Sequence, residues 1–206
     1  MAKQTLYSIH PSIAYAQAGM RTIEAKTGKS IGEWEAYIKK NGPKTEKERI
    51  QWLKTEFELG TNQASWLTEL SYGRGKEFSD AALYLKSAPE YVEKMYSEKK
   101  EVLRPIYEKL LKLGLSIGKE AKASPCSTFV PLYRNYVFAQ IKPTTNTRID
   151  LGLALKDMKA KGRLIDTGGY AKKDRITHRI PVSSLSEIDD EVKKWLKTAY
   201  DLDEKK

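Results

Sequence analysis

From about residue 117 the apolar residues stop recurring every three or four positions and begin to alternate. No single type of element accommodates both periods, so the chain divides into a helical part and a part built on short strands. Five strand-like runs follow one another: CSTFVPLY, NYVFAQIK, TRIDLGLAL, GRLIDTG and ITHRIPV. Turn residues separate them, among them Arg134-Asn135 and Pro143-Thr144. Helical spacing returns at SLSEIDDEVKKWLKTAYD, where Ser186 suits a cap and Ile188, Val192, Trp195 and Leu196 form one apolar stripe. Helix, short strands in series, helix: the order predicts an α+β fold, an antiparallel sheet with helices packed on one face.

The first half carries clear helix punctuation. Pro11 stands near the start of one helix and Gly28 at its end. Ser30 and Glu33 have the spacing of a capping box, and Gly42-Pro43 stops that helix. Thr45 with Glu48 repeats the design, with Gly60 expected to close the third helix and Thr61 to open a fourth. Trp34, Tyr37 and Ile38 share one helical face, as do Ile50, Leu53 and Phe57, which predicts a small bundle over residues 8–72. Residues 73–89, bracketed by Gly73, Gly75 and Pro89, read as a connector with one short helix. A second domain then spans 90–203, opening with helical sequence that restarts at Pro105. The junction ELGTNQ also invites a helix-turn-helix reading. Its second helix, however, offers Asn62, Gln63 and Ser65 and no Lys or Arg to meet phosphates.

The charge is unevenly spread. The chain carries a formal +10, and residues 119–179 alone hold 13 Lys/Arg against five Asp/Glu, a net +8. Such a segment is expected to face an anion, whereas the same charge on a solvated surface serves only solubility. A single cysteine, Cys126, excludes an internal disulfide and suits a reducing cytoplasm. With two histidines it cannot supply the usual four ligands of a Cys/His zinc site. No apolar run reaches the length of a membrane span, and MAKQTLYSIHPS lacks the apolar core of a secretory signal. A cytoplasmic protein without membrane partners is the expectation.

Alternation assigns side chains to sheet faces. Ile149, Leu151, Leu153 and Leu155 point one way, with Arg148, Asp150 and Gly152 opposite. Val137, Ala139 and Ile141 fit the core face, leaving Tyr136, Phe138, Gln140 and Lys142 on the other. In RITHRIPV, His178 shares a face with Ile176, Ile180 and Val182 and is expected in the core, while Arg175, Thr177 and Arg179 face outward. Arg148, Arg179, Lys142, Arg134, Asp150, Tyr136 and Phe138 therefore make up the candidate binding face. Two rings and several cations can stack bases and hold phosphates.

Catalytic constellations are weak. Cys126 has no glycine-rich elbow or helix start beside it to lower its pKa. DTGGYAKKD has adjacent glycines and lysines but lacks Walker spacing. Asp150 and Asp166 can pair for acid–base work only if Asp150 is not bridged to Arg148 or Arg179. Nothing in the residues calls for a cofactor.

IEAKTGKSIGEWEAYIKKNG followed by WLKTEFELGTNQASWL resembles a short bacterial domain of unknown function. FVPLYRNYVFAQIKPTTNTRIDLGLAL, GRLIDTG, THRIPV and WLKTAYD together resemble a second domain of unknown function often joined to the first. The resemblance covers nearly all of residues 10–201. Where the first family often has Gly-His-Gly-His-Ala, this chain has GTNQAS, so a role for those histidines is absent here. The resemblance implies no established activity. A looser likeness of the second domain to frataxin-like or YdhG-type folds implies iron or ligand handling. Three functions remain: a non-catalytic module for nucleic acid or another polyanion, which is favoured; a small-molecule or metal-ion binder; and an enzyme with an interdomain site.

Overall fold

The computed structural model describes residues 6–204. It resolves into two compact units, Ile9–Tyr84 and a second running from Leu85 onward that also takes in the segment ending at Ser8.

Four helices build the first unit: α1 (Ser12–Thr27), α2 (Ile31–Asn41), α3 (Glu46–Glu56) and α4 (Thr61–Ser71). Gly28 closes α1 in the left-handed conformation, φ 67°, which a Cβ would oppose. Ser30 and Glu33 form the expected capping box, each satisfying the other's backbone N–H. Thr45 accepts from Glu48 N at the start of α3. This helix stops at Glu56, four residues short of the glycine expected to close it. The loop that follows turns Phe57 into the core, where it meets Trp34 edge-on at 4.8 Å and Trp52 at 5.2 Å. Tyr37 stacks on Trp52 at 6.0 Å. Fully buried Trp34, Ile38, Leu53 and Leu67 complete the centre. Arg49 is buried too; its guanidinium donates to Pro43 O and Ser71 Oγ and lies 4.4 Å from the Tyr72 ring.

After a short 3-10 turn at Lys76–Phe78 comes α5 (Ala81–Met95), which contains the boundary between the units. Pro89 was expected to bracket the connector, yet α5 runs through it. A proline removes one i→i−4 bond, and the helix continues on the remainder.

In the second unit Pro105 sits in the first turn of α6 (Arg104–Ser116), where a missing N–H is harmless. The sheet has six strands: β1 (Lys122–Ala123), β2 (Val130–Tyr133), β3 (Val137–Pro143), β4 (Ile149–Leu153), β5 (Ile165–Asp166) and β6 (His178–Val182). Their order is β1-β2-β3-β4-β6-β5, and all pairs are antiparallel. The fold is α+β. α7 (Asp190–Leu202) and α6 cover one face of the sheet. Ile106, Leu110, Val192 and Leu196 meet Leu132, Ile141, Leu151 and Ile180 there in one buried cluster. α6 lies so close to β2 that a Cβ on Gly114 would come within 2.4 Å of Leu132 Cδ1. The cap of α7 is Asp189, which accepts from Val192 N. Ser186, expected in that role, lies in the 3-10 turn Leu185–Glu187 instead.

Candidate polyanion-binding surface

On the sheet face away from α6 and α7, β3 and β4 set Lys142 opposite Asp150, and β6 brings Arg179 opposite Gly152. Asp150 lies between two arginines: Oδ1 is 3.0 Å from Arg148 Nε and Oδ2 accepts from Arg179 at 2.9 Å. Thr144 Oγ1 donates to the same Oδ2 at 2.9 Å. The Arg148 contact is close but misaligned, since neither Nε nor Oδ1 gains a well-formed hydrogen bond. The centre of this face is closed by its own side chains; a Cβ on Gly152 would meet Gln140 Cγ at 2.7 Å and Ile176 Cγ2 at 2.8 Å. Asp150 is thus held by both arginines and is not available as a general base. Asp166, its conceivable partner, accepts from Gly168 N at 2.7 Å.

The β2–β3 turn is pinned from afar. Asp203 is buried, and its Oδ2 accepts from Asn135 N at 2.9 Å and Tyr136 N at 2.8 Å. Its other oxygen accepts from Arg175, whose Nε also donates to Val137 O at 2.9 Å. Arg134 pairs with Glu120 at 3.0 Å and stacks 4.5 Å over Tyr200. Tyr136 is 67% exposed, with the Arg175 guanidinium 5.1 Å from its ring.

Phe138 was expected beside Tyr136 on the outer face and is fully buried instead, edge-on to Tyr200 at 5.3 Å. The pairing explains why. Tyr133 faces Val137 while Leu132 faces Ala139, so Phe138 is the extra residue of a β-bulge and leaves the alternation. His178 does point into the core, where Nδ1 lies 2.8 Å from Thr177 Oγ1, and Nε2 has no partner among the described residues. Thr177, assigned outward with the arginines, is also buried, because residues 175–177 precede β6 and need not alternate; its hydroxyl accepts from Leu155 N. Arg175 accordingly reaches Asp203 and not the Arg148–Asp150–Arg179 group.

A division of labour follows. All five arginines of residues 119–179 are ion-paired: Arg134, Arg148, Arg163, Arg175 and Arg179. Arg163 binds both Asp189 and Glu191, which holds the Glu191 carboxyl below its ordinary value. None of the eight lysines in that segment has a carboxylate partner among the described residues. Two of them, Lys156 and Lys173, adopt positive φ (56° and 60°) and line one cavity of about 550 Å³ with Tyr170, Asp174, Arg175 and Leu202. A second cavity of about 1080 Å³ gathers Lys94, Lys99, Lys100 and Lys142 with Ser127 and Thr144, and holds Glu90 and Glu98 as well. Spacing could not have found these lysines, since the cations that share a cavity come from separate elements and loops of the chain.

Chemistry elsewhere is muted. Burial pushes the Cys126 thiol up to about 11 and lowers the His10 pKa. Among the described residues no three His, Cys, Asp or Glu side chains gather to hold a metal ion, and no helix is long and apolar enough to cross a membrane.

A family model described as Domain of unknown function (DUF5655) matches residues 92–203, more than half of the chain. The chain belongs to this family. The DUF5655 match holds the sheet, both lysine-lined loops and Asp203. A second model, Domain of unknown function (DUF4287), matches residues 16–71, from within α1 to the end of α4. No curated protein and no solved structure matches the chain, and neither family match extends to frataxin-like domains.

Proposed function

We propose that the C-terminal unit is a non-catalytic module that binds a polyanion, single-stranded nucleic acid above all, through its lysine-bearing loops. The observation that carries this reading is the split between cations: the arginines of residues 119–179 are tied to carboxylates, and the lysines are left to meet an outside anion. Lys156 and Lys173 converge on one cavity, where exposed Tyr170 and Arg175 also sit, and the Arg175 guanidinium lies against the exposed Tyr136 ring. Exposed rings stack bases whatever their identity, and lysines meet phosphates as point charges. The left-handed backbone of Lys156 and Lys173, shared by Glu58 and Glu98 elsewhere, costs of order 1–2 kcal/mol each. Relative to the sequence-based expectation, the binding surface moves from the strand face to the loops at its end.

Fluorescence anisotropy of labelled single- and double-stranded oligonucleotides across a salt series tests the reading. The wild-type protein is expected to bind the single strand at micromolar concentration in low salt, with affinity falling steeply as salt rises. Lys156→Ala with Lys173→Ala should reduce the salt slope by about 1.4, from about 0.7 per phosphate contact on a single strand. Absence of binding at low salt, or an unchanged slope in the double variant, rejects it. Arg148→Ala with Arg179→Ala is a poorer test, because it strips both arginines from Asp150.

A further inference from the structure

The helical unit contains a cavity of a different chemical character. About 710 Å³ lies between α1 and the start of α4, walled by Tyr15, Ala16, Gly19, Ile23, Trp66 and Phe78. Among the described residues no Lys, Arg, Asp, Glu or His lines it, in a chain that is 31% charged. The two cavities of the C-terminal unit carry six and four charged residues apiece. Its polar groups are neutral: the hydroxyls of Ser12, Thr22 and Thr61 and the amides of Asn62 and Gln63.

We propose that this cavity is a binding site for an uncharged, largely apolar small molecule bearing an aromatic ring and a carbonyl-type acceptor. The volume falls within the range of small-molecule sites, which bury most of a ligand against apolar walls with few polar contacts. A charged ligand would lose water here and meet no countercharge, so the lining selects against it. Three rings supply flat walls. Tyr15 is 73% exposed and Phe78 47% exposed, so a large part of their apolar area is left for a ligand to cover. α1 contributes residues too small to fill the space, and a Cβ built on Gly19 meets nothing within 4 Å. Trp66 Nε1 is a buried donor that no atom of the described residues accepts from. The same side chain lines the cavity, and a ligand carbonyl reached by a turn of the ring would give this donor an acceptor. Buried donors without partners are few in native proteins, and each calls for a cause.

Nile red, an uncharged aromatic dye with one carbonyl, is the probe. Titrated into the full chain, it is expected to give one saturable site with a blue-shifted, enhanced emission. Gly19→Leu fills the space from α1 and favours the helix, so it should weaken binding at least tenfold while leaving the thermal melt unchanged or raised. If that variant fails to fold, Thr61→Leu, on the opposite wall and exposed, provides the same blockade from α4. The anionic dye 8-anilinonaphthalene-1-sulfonate should bind at least tenfold more weakly than Nile red. Dye binding that does not saturate, survives a folded blocking variant unchanged, or favours the anionic dye overturns the proposal. None of these readouts depends on lysines 156 and 173, so the cavity and the polyanion surface stand or fall separately.

Discussion

The helical unit centres its core on one buried ring, Trp34, with three half-buried rings packed around it, whereas the sheet unit spreads a larger core of aliphatic and aromatic side chains between β-strands and two helices. Trp34, Tyr37, Trp52 and Phe57 touch one another in a single cluster of the first unit. In the second, Leu132, Ile141, Ile149, Leu151, Ile180 and Val182 are all fully buried against α6 and α7. A small domain buries a smaller share of its surface, so each large side chain carries more of the total. Sensitivity to a single substitution should therefore differ between the two.

The largest expected effect is Trp34→Ala. Removing this fully buried ring should cost about 3–5 kcal/mol, comparable to all that one small hydrophobic core supplies. Ile180→Val removes one methylene from the sheet unit and should cost about 1 kcal/mol. Urea melts followed by far-UV circular dichroism measure both, and equal costs would end the contrast.

Next in size is Asp203→Ala. It strips the acceptor from two turn N–H groups and from Arg175, and should cost about 2 kcal/mol in the sheet unit, read through Trp195 emission. No loss would mean that the β2–β3 turn holds without its distant anchor.

The smallest effect is acidic. Hydrogen bonds from Ser30 hold the Glu33 carboxyl low in the helical unit, and those from Arg163 hold Glu191 low in the sheet unit. A carboxyl whose folded pKa is depressed stabilises above its unfolded value, about 4.3, and that stabilisation fades as pH falls through the folded value. Glu33→Gln and Glu191→Gln should each flatten the fall in melting temperature between pH 5 and pH 3. A steeper fall in either variant contradicts the sign. Both groups are near the surface, so the shifts should be small and should shrink further in salt.

The comparison also separates what the sequence displays from what it hides. Ser30 with Glu33, Thr45 with Glu48, and the alternation of Ile149, Leu151 and Leu153 around Asp150 are local signals, and local geometry obeys them. His178 follows its strand into the core for the same reason. Phe138 escapes because a one-residue bulge is a property of two paired strands, invisible in either alone. The roles of the arginines are hidden by distance: Arg175 finds Asp203 and Arg163 finds Glu191 28 residues away, across strands whose pairing had to be known first. Lys173 stood out within DTGGYAKKD, but nothing local marked Lys156 as its companion on one cavity.

Asp203 also sets a clock on biosynthesis. The β2–β3 hairpin is complete in sequence by Pro143, yet the carboxylate that fastens its turn is translated 60 residues later. At 5–20 residues per second that gap lasts about 3–12 s, whereas a hairpin forms in about 1–10 μs. Until Asp203 follows α7 out of the ribosome, the turn N–H groups of Asn135 and Tyr136 lack the acceptor that they have in the folded unit.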